Sequence, residues 1–109
     1  MVSTKKQALA IALKTRLGLE HIYGERLRGV YLYGSAARDQ LDENSDIDIA
    51  IILDQIPDRF EEHERTSKLG SDLSLQENTL VSFTFLTVTD FEKGRFSIHR
   101  SIKREGIPA

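Results

Sequence analysis

Residues 31–53 read YLYGSAARDQLDENSDIDIAIIL. Two apolar runs flank a polar loop. Gly34 and Ser35 close the first run, and Asp46 and Asp48 open the second. The second run, DIAIIL from 48 to 53, is rich in isoleucine and apolar on both faces after its first residue. That pattern predicts a strand in the middle of a sheet, covered on both sides. A strand gains no core from two carboxylates at its entrance. Residues i and i+2 of a strand share a face, so Asp46 and Asp48 aim at one place. Their like charges raise the proton affinity of one of them unless a cation intervenes. Magnesium is such a cation, taking one or two carboxylates together with substrate phosphates. The glycine at 34 lets a backbone amide approach an anion without an intruding Cβ. Ser35 adds a hydroxyl, and a helical turn over residues 36–39 would add free N–H donors.

Working outward, residues 3–23 predict an amphipathic helix. Leu9, Leu13 and Leu17 form its stripe, and Ile11, Ala12 and Leu19 widen it. Ser3 or Thr4 suits the start and Gly24 the end. Gly18, inside the pattern, costs roughly 1 kcal/mol relative to alanine and marks a place to bend or stop. A short strand follows at 30–33. Pro57 opens a helix over 58–76 with Phe60, Leu69, Leu73 and Leu75 inward and EEHER (61–65) as its solvated face. A third strand spans 80–87, Thr89 and Asp90 cap a short turn, and a closing helix runs from 97 to 105. The fold class is α/β (α+β): one domain over 1–109, a three- to four-stranded mixed sheet flanked by helices.

The chain has 109 residues, net charge −2 and no cysteine. Broad binding to nucleic acid needs a basic face, which this balance does not supply. The absence of cysteine removes disulfides and thiolate metal sites and points to the cytoplasm. No apolar run approaches the ~20 residues of a membrane span. His21, His63 and His99 lie on three separate predicted helices without ligand spacing, and read as solvated or locally bonded. Arg95, Arg100, Lys103 and Arg104 suit the C-terminal end of a helix, with a rim attracting nucleotide or an acidic partner as the alternative.

A lone glycine-serine pair is usually a turn, and a lone D-x-D usually a cap. Together, ten residues apart and between two apolar runs, they are specific. The segment resembles the G-S-x10-D-x-D signature of the nucleotidyltransferase superfamily that includes polymerase beta. It looks like the minimal nucleotidyltransferase branch of that superfamily. Leu32, Tyr33, Gly34, Ser35, Ala37, Arg38, Ser45, Asp46 and Asp48 match that branch. The tail IHRSIKREGIPA (98–109) resembles its closing helix, so the likeness runs from about Leu9 to Ile107.

The resemblance implies transfer of a nucleoside monophosphate, AMP from ATP above all, to a hydroxyl of a protein or small molecule. It implies that Asp46 and Asp48 are catalytic and bind magnesium. It implies a nucleoside triphosphate held by Gly34, Ser35, Arg38 and Ser45. Many such domains serve as antitoxins beside a small helical HEPN-type partner, which they adenylylate. Two departures stand out. Asp39 replaces a family glycine. The neighbouring strand, LVSFTFLT, lacks the third carboxylate of active members and has Ser82 or Thr84 in its place, with Glu77 and Asp90 only at its ends. The alternative reading is therefore a catalytically impaired module that binds nucleotide or partner. Oligomeric state is left open, an edge strand or the helical tail being available for pairing between copies.

Overall fold

The computed structural model describes residues 4–38, 40–42 and 45–109. Its elements are α1 (Lys5–Tyr23), a 3-10 turn (Gly24–Arg26), β1 (Leu27–Tyr33), β2 (Ile47–Leu53), α2 (Arg59–Glu77), β3 (Val81–Thr87), α3 (Val88–Lys93), α4 (Ser97–Glu105) and β4 (Ile107–Pro108). The sheet order is β3-β2-β1-β4. β2 runs parallel to β3 and antiparallel to β1, which pairs antiparallel with β4 on its other side. The sheet is thus four-stranded and mixed, with the isoleucine-rich strand inside it as its composition predicts.

Side-chain alternation along β2 divides the molecule into layers. Ile47, Ile49, Ile51 and Leu53 face α1 and α2, together with Val30 and Leu32 of β1. Ala50 and Ile52 face the other way, against Leu86 and Ile102, under α3 and α4. Asp48 belongs to this second face by register. The α3–α4 layer is small. α3 contributes Phe91, whose ring lies 5.2 Å from that of Tyr31. Arg100 and Lys103 turn back to donate to the carbonyls of Gly94 and Glu92 at the end of α3. Two of the four basic side chains therefore tie α4 to α3. The α3 cap is Thr87, whose hydroxyl accepts from the Asp90 N–H, earlier than the sequence suggests.

Several expectations change. α1 is capped by a reciprocal Thr4–Gln7 pair and runs unbroken through Gly18. A Cβ at Gly18 would lie 2.7 Å from Leu69 Cδ1, so α2 packs closely over Gly18, where the helix does not bend. The leucine stripe is misplaced: Leu13 and Leu17 are exposed, while Ala8, Ile11, Ala12, Thr15 and Leu19 are buried. Small residues let α1 lie closer to the sheet than leucines would. On α2, Leu73 is buried and Leu69 packs on the core, but Phe60 and Leu75 are exposed.

The EEHER segment is not all solvated. Glu62 is buried, accepts from the Tyr23 hydroxyl at 2.9 Å and pairs with Arg26 at 2.9 Å. Burial and the Glu62 bond push the Tyr23 hydroxyl well above its usual range. This cluster binds the end of α1 to the start of α2. Truncating one partner of a buried pair leaves the others unsatisfied. Glu62→Ala is expected to lower stability by about 3 kcal/mol. Leu13→Ala, on the exposed side of α1, should stay within about 0.5 kcal/mol. Urea unfolding of both variants checks the assignment, and equal effects would contradict it.

Candidate functional site

The site forms where β1 ends beside the start of β2. Antiparallel pairing sets Tyr33 opposite Asp48, so the next residue, Gly34, arrives at the Asp48 side chain. Gly34 has φ +72°. Only glycine adopts this backbone without strain. A Cβ built on Gly34 would also sit 2.5 Å from Asp48 Oδ2. Conformation and space both exclude a side chain there. The Asp48 carboxylate lies against bare backbone.

Residues 34–38 continue as a tight turn. The Arg38 N–H donates to the Gly34 carbonyl at 3.2 Å, and the Gln40 N–H to the Ser35 carbonyl at 2.8 Å. The first of these bonds is one helical turn, and it does not use the amides of Ser35, Ala36 and Ala37. Asp39, with Glu43, Asn44 and Ser3, lies outside the described residues. Ser45 closes the loop before β2: its hydroxyl donates to the Asp42 carboxylate at 3.3 Å and accepts from the Asp42 N–H at 3.1 Å. Asp46 is exposed and Asp48 is half-buried.

Burial raises the Asp48 carboxyl above the usual carboxylate range, and the negative charge of Asp46 adds to the shift. Arg38 opposes it. The guanidinium of Arg38 reaches Glu105 Oε2 at 3.3 Å and Gln40 Oε1 at 3.2 Å. An Asp48 carboxyl whose proton affinity is raised by burial and by the charge of Asp46, beside an open backbone, suits a divalent cation. Among the described residues, no third His, Cys, Asp or Glu joins the pair into a larger group. Glu77 pairs with Lys14 and Asp90 with Arg95. On β3, Ser82 stands beside Asp48 and Thr84 beside Ala50. The Thr84 hydroxyl bonds that of Tyr33 at 2.7 Å.

Gly34, Ser35, Arg38, Asp46 and Asp48 therefore gather in one region, with Ser45 bracing the loop that delivers Asp46. The contribution of α4 is not visible in the motif. Ser97, Ser101 and Glu105 line a cleft with Tyr33, Gly34 and Arg38. Their spacing of four along a helix is the signal that could have identified them.

Residues 20–107 match the model for the family described as polymerase beta, nucleotidyltransferase. A protein of Methanocaldococcus jannaschii carrying the provisional name protein adenylyltransferase is 30% identical over 76 residues, 70% of this chain and 76% of its own. A toxin–antitoxin structure with AMP-PNP superposes with a TM-score of 0.61 at 21% identity, over 87% of this chain and 69% of that one. A nucleotidyltransferase of Sulfolobus solfataricus, also provisionally named, gives 0.60 at 18% identity, over 99% and 87% of the two chains. The two structures share the fold.

The raised Asp48 value has a sign that can be tested. A carboxyl whose proton is held more tightly in the folded chain costs stability when ionised. That cost is present at neutral pH and lifts as pH falls through the raised value. Without divalent cation, Asp48→Asn is expected to melt higher than the parent at neutral pH, the gain shrinking in acid. A variant that melts lower or equally at neutral pH contradicts the assignment. Gly34→Ala should lose about 2 kcal/mol from its left-handed backbone alone. Thermal melts across pH read both.

Proposed function

The chain belongs to the polymerase beta nucleotidyltransferase family, and on that premise we propose that it transfers AMP from ATP to a hydroxyl acceptor. The observation that carries this reading is the Asp48 carboxylate, crowded by the charge of Asp46 and laid against the bare backbone of Gly34. That arrangement fits a magnesium ion bound with the phosphates it accompanies. Asp46 and Asp48 would hold the ion, which when bound neutralises the triphosphate and steadies the pyrophosphate that leaves.

The remaining roles belong to the chain. The turn at Gly34 and Ser35 gives close backbone contact to phosphate oxygens. Arg38 adds a cation nearby and Ser45 fixes the loop. The acceptor oxygen attacks the α-phosphorus, the bond to the bridging oxygen of the β-phosphate breaks, and the acceptor proton passes to solvent or to a carboxylate. Positioning and charge stabilisation supply most of such a rate. The acceptor is a hydroxyl of a partner protein, in our reading one of the small helical HEPN kind. The toxin–antitoxin neighbours support it through the shared fold. A cytoplasmic setting is part of the proposal. It is supported by the cysteine-free sequence and by the finding that no described helix is long and apolar enough to cross a membrane.

A second reading rests on β3. Where active relatives are expected to carry a third carboxylate, this chain has Ser82, and Thr84 is engaged by Tyr33. A nucleotide-binding module without transfer fits that strand. Incubation with labelled ATP, magnesium and a candidate helical partner separates the two. Label on the partner, reduced by more than ~100-fold in Asp46→Ala and Asp48→Ala, is the expected result, exceeding the usual cost of losing an outer-shell group. Retained ATP binding without transfer to any partner selects the binding module. Loss of both overturns the site.

A further inference from the structure

A cleft of about 300 Å³ opens next to the Gly34 turn. Tyr33 and Gly34 form one wall and Arg38 another. The third is α4, which presents Ser97, Ser101 and Glu105 one turn apart, with Ile98 beside them. The volume is at the lower end of small-molecule sites and too small for a folded partner. The cleft and the Asp48 carboxylate meet at Gly34, which lies against both. A ligand whose phosphates rest at Gly34 can thus extend along α4.

The chemistry of the walls selects what extends there. Arg38 is already paired with Glu105, so the cleft offers no unbalanced cation for another phosphate. It offers two hydroxyls, a carboxylate one-third exposed, and the side chain of Ile98, 39% exposed. A carboxylate accepts well from ribose hydroxyls, as acidic residues do in dinucleotide sites. An exposed aliphatic ledge covers the face of a flat ring. The complement is neutral, rich in hydroxyls at one end and apolar at the other.

We propose that the α4 cleft receives the ribose and base of the nucleoside triphosphate, with Ser97, Ser101 and Glu105 facing the ribose hydroxyls and Ile98 the base. This rests on the phosphate site proposed above.

The test is calorimetric titration of the full chain in magnesium with ATP, 2′,3′-dideoxy-ATP and inorganic tripolyphosphate. The parent is compared with a Ser97→Ala, Ser101→Ala double variant and with Glu105→Gln, folding being verified by circular dichroism. Both variants should bind ATP roughly tenfold more weakly, the scale of a lost hydrogen bond to a charged group. Tripolyphosphate binding should be unchanged in the serine double variant and should not fall in Glu105→Gln, which frees Arg38, and dideoxy-ATP should bind weakly to all three proteins. Unchanged ATP binding in both variants overturns the inference. Equal weakening of ATP and tripolyphosphate also overturns it, because α4 would then only brace the turn through Arg38. If the parent binds tripolyphosphate but ATP no better, the cleft assignment fails while the phosphate site stands. If it binds neither, the phosphate site itself fails, and the cleft with it.

Discussion

The pairing register of β1 with β2 is the constraint on which the site depends. Tyr33 opposite Asp48 fixes where the chain leaves the sheet, and the next residue must pass the carboxylate within contact distance. No Cβ fits, and the backbone must turn left-handed. A shift of one residue would send Asp48 into the apolar layer that Ile47 and Ile49 now occupy, and turn those isoleucines to the site face. The burial of five consecutive apolar residues, 49–53, opposes any such shift. Core packing on β2, with Ala36 of the turn and Ile47 between the two aspartates, therefore holds the polar end in place.

Much of this was legible in the sequence. Isoleucine density placed β2 inside the sheet, and the two-residue spacing of Asp46 and Asp48 placed both on one side. Periodicity alone could not choose between neighbouring stripes on α1. Leu13 and Leu17 have the hydrophobicity of core residues, but Ala8, Ala12 and Thr15 have the size that lets a helix sit close to a sheet. Glu62 was hidden in a run of charges, because its burial depends on Tyr23 and Arg26, both distant in sequence. The role of α4 was equally out of reach, since a cleft is a relation between elements.

The β3 strand places Ser82 and Thr84 on the sheet face that carries Asp48. Without an acid at its site-facing positions, the sheet places hydroxyls there, and the Tyr33–Thr84 bond spans the strand between them. Burial raises the Tyr33 hydroxyl, so it stays neutral. The polar end of this face is thereby knit together without charge, and the two aspartates carry the negative charge beside it.

The short strand β4 has a consequence for assembly. It returns from α4 to pair Ile107 with Leu32 and Pro108 with Tyr31, and the Ala109 N–H donates to the Val30 carbonyl. This clasp joins the last residues to β1 and delivers Glu105 to Arg38. During synthesis, the Gly34 turn and the carboxylate pair can fold with β1 and β2, while the α4 wall must wait for the tail to emerge and dock. The clasp has few bonds, so its opening is a local event of lower free energy than global unfolding. Opening of β4 and α4 would remove one wall of the cleft while β1, β2 and β3 stay paired.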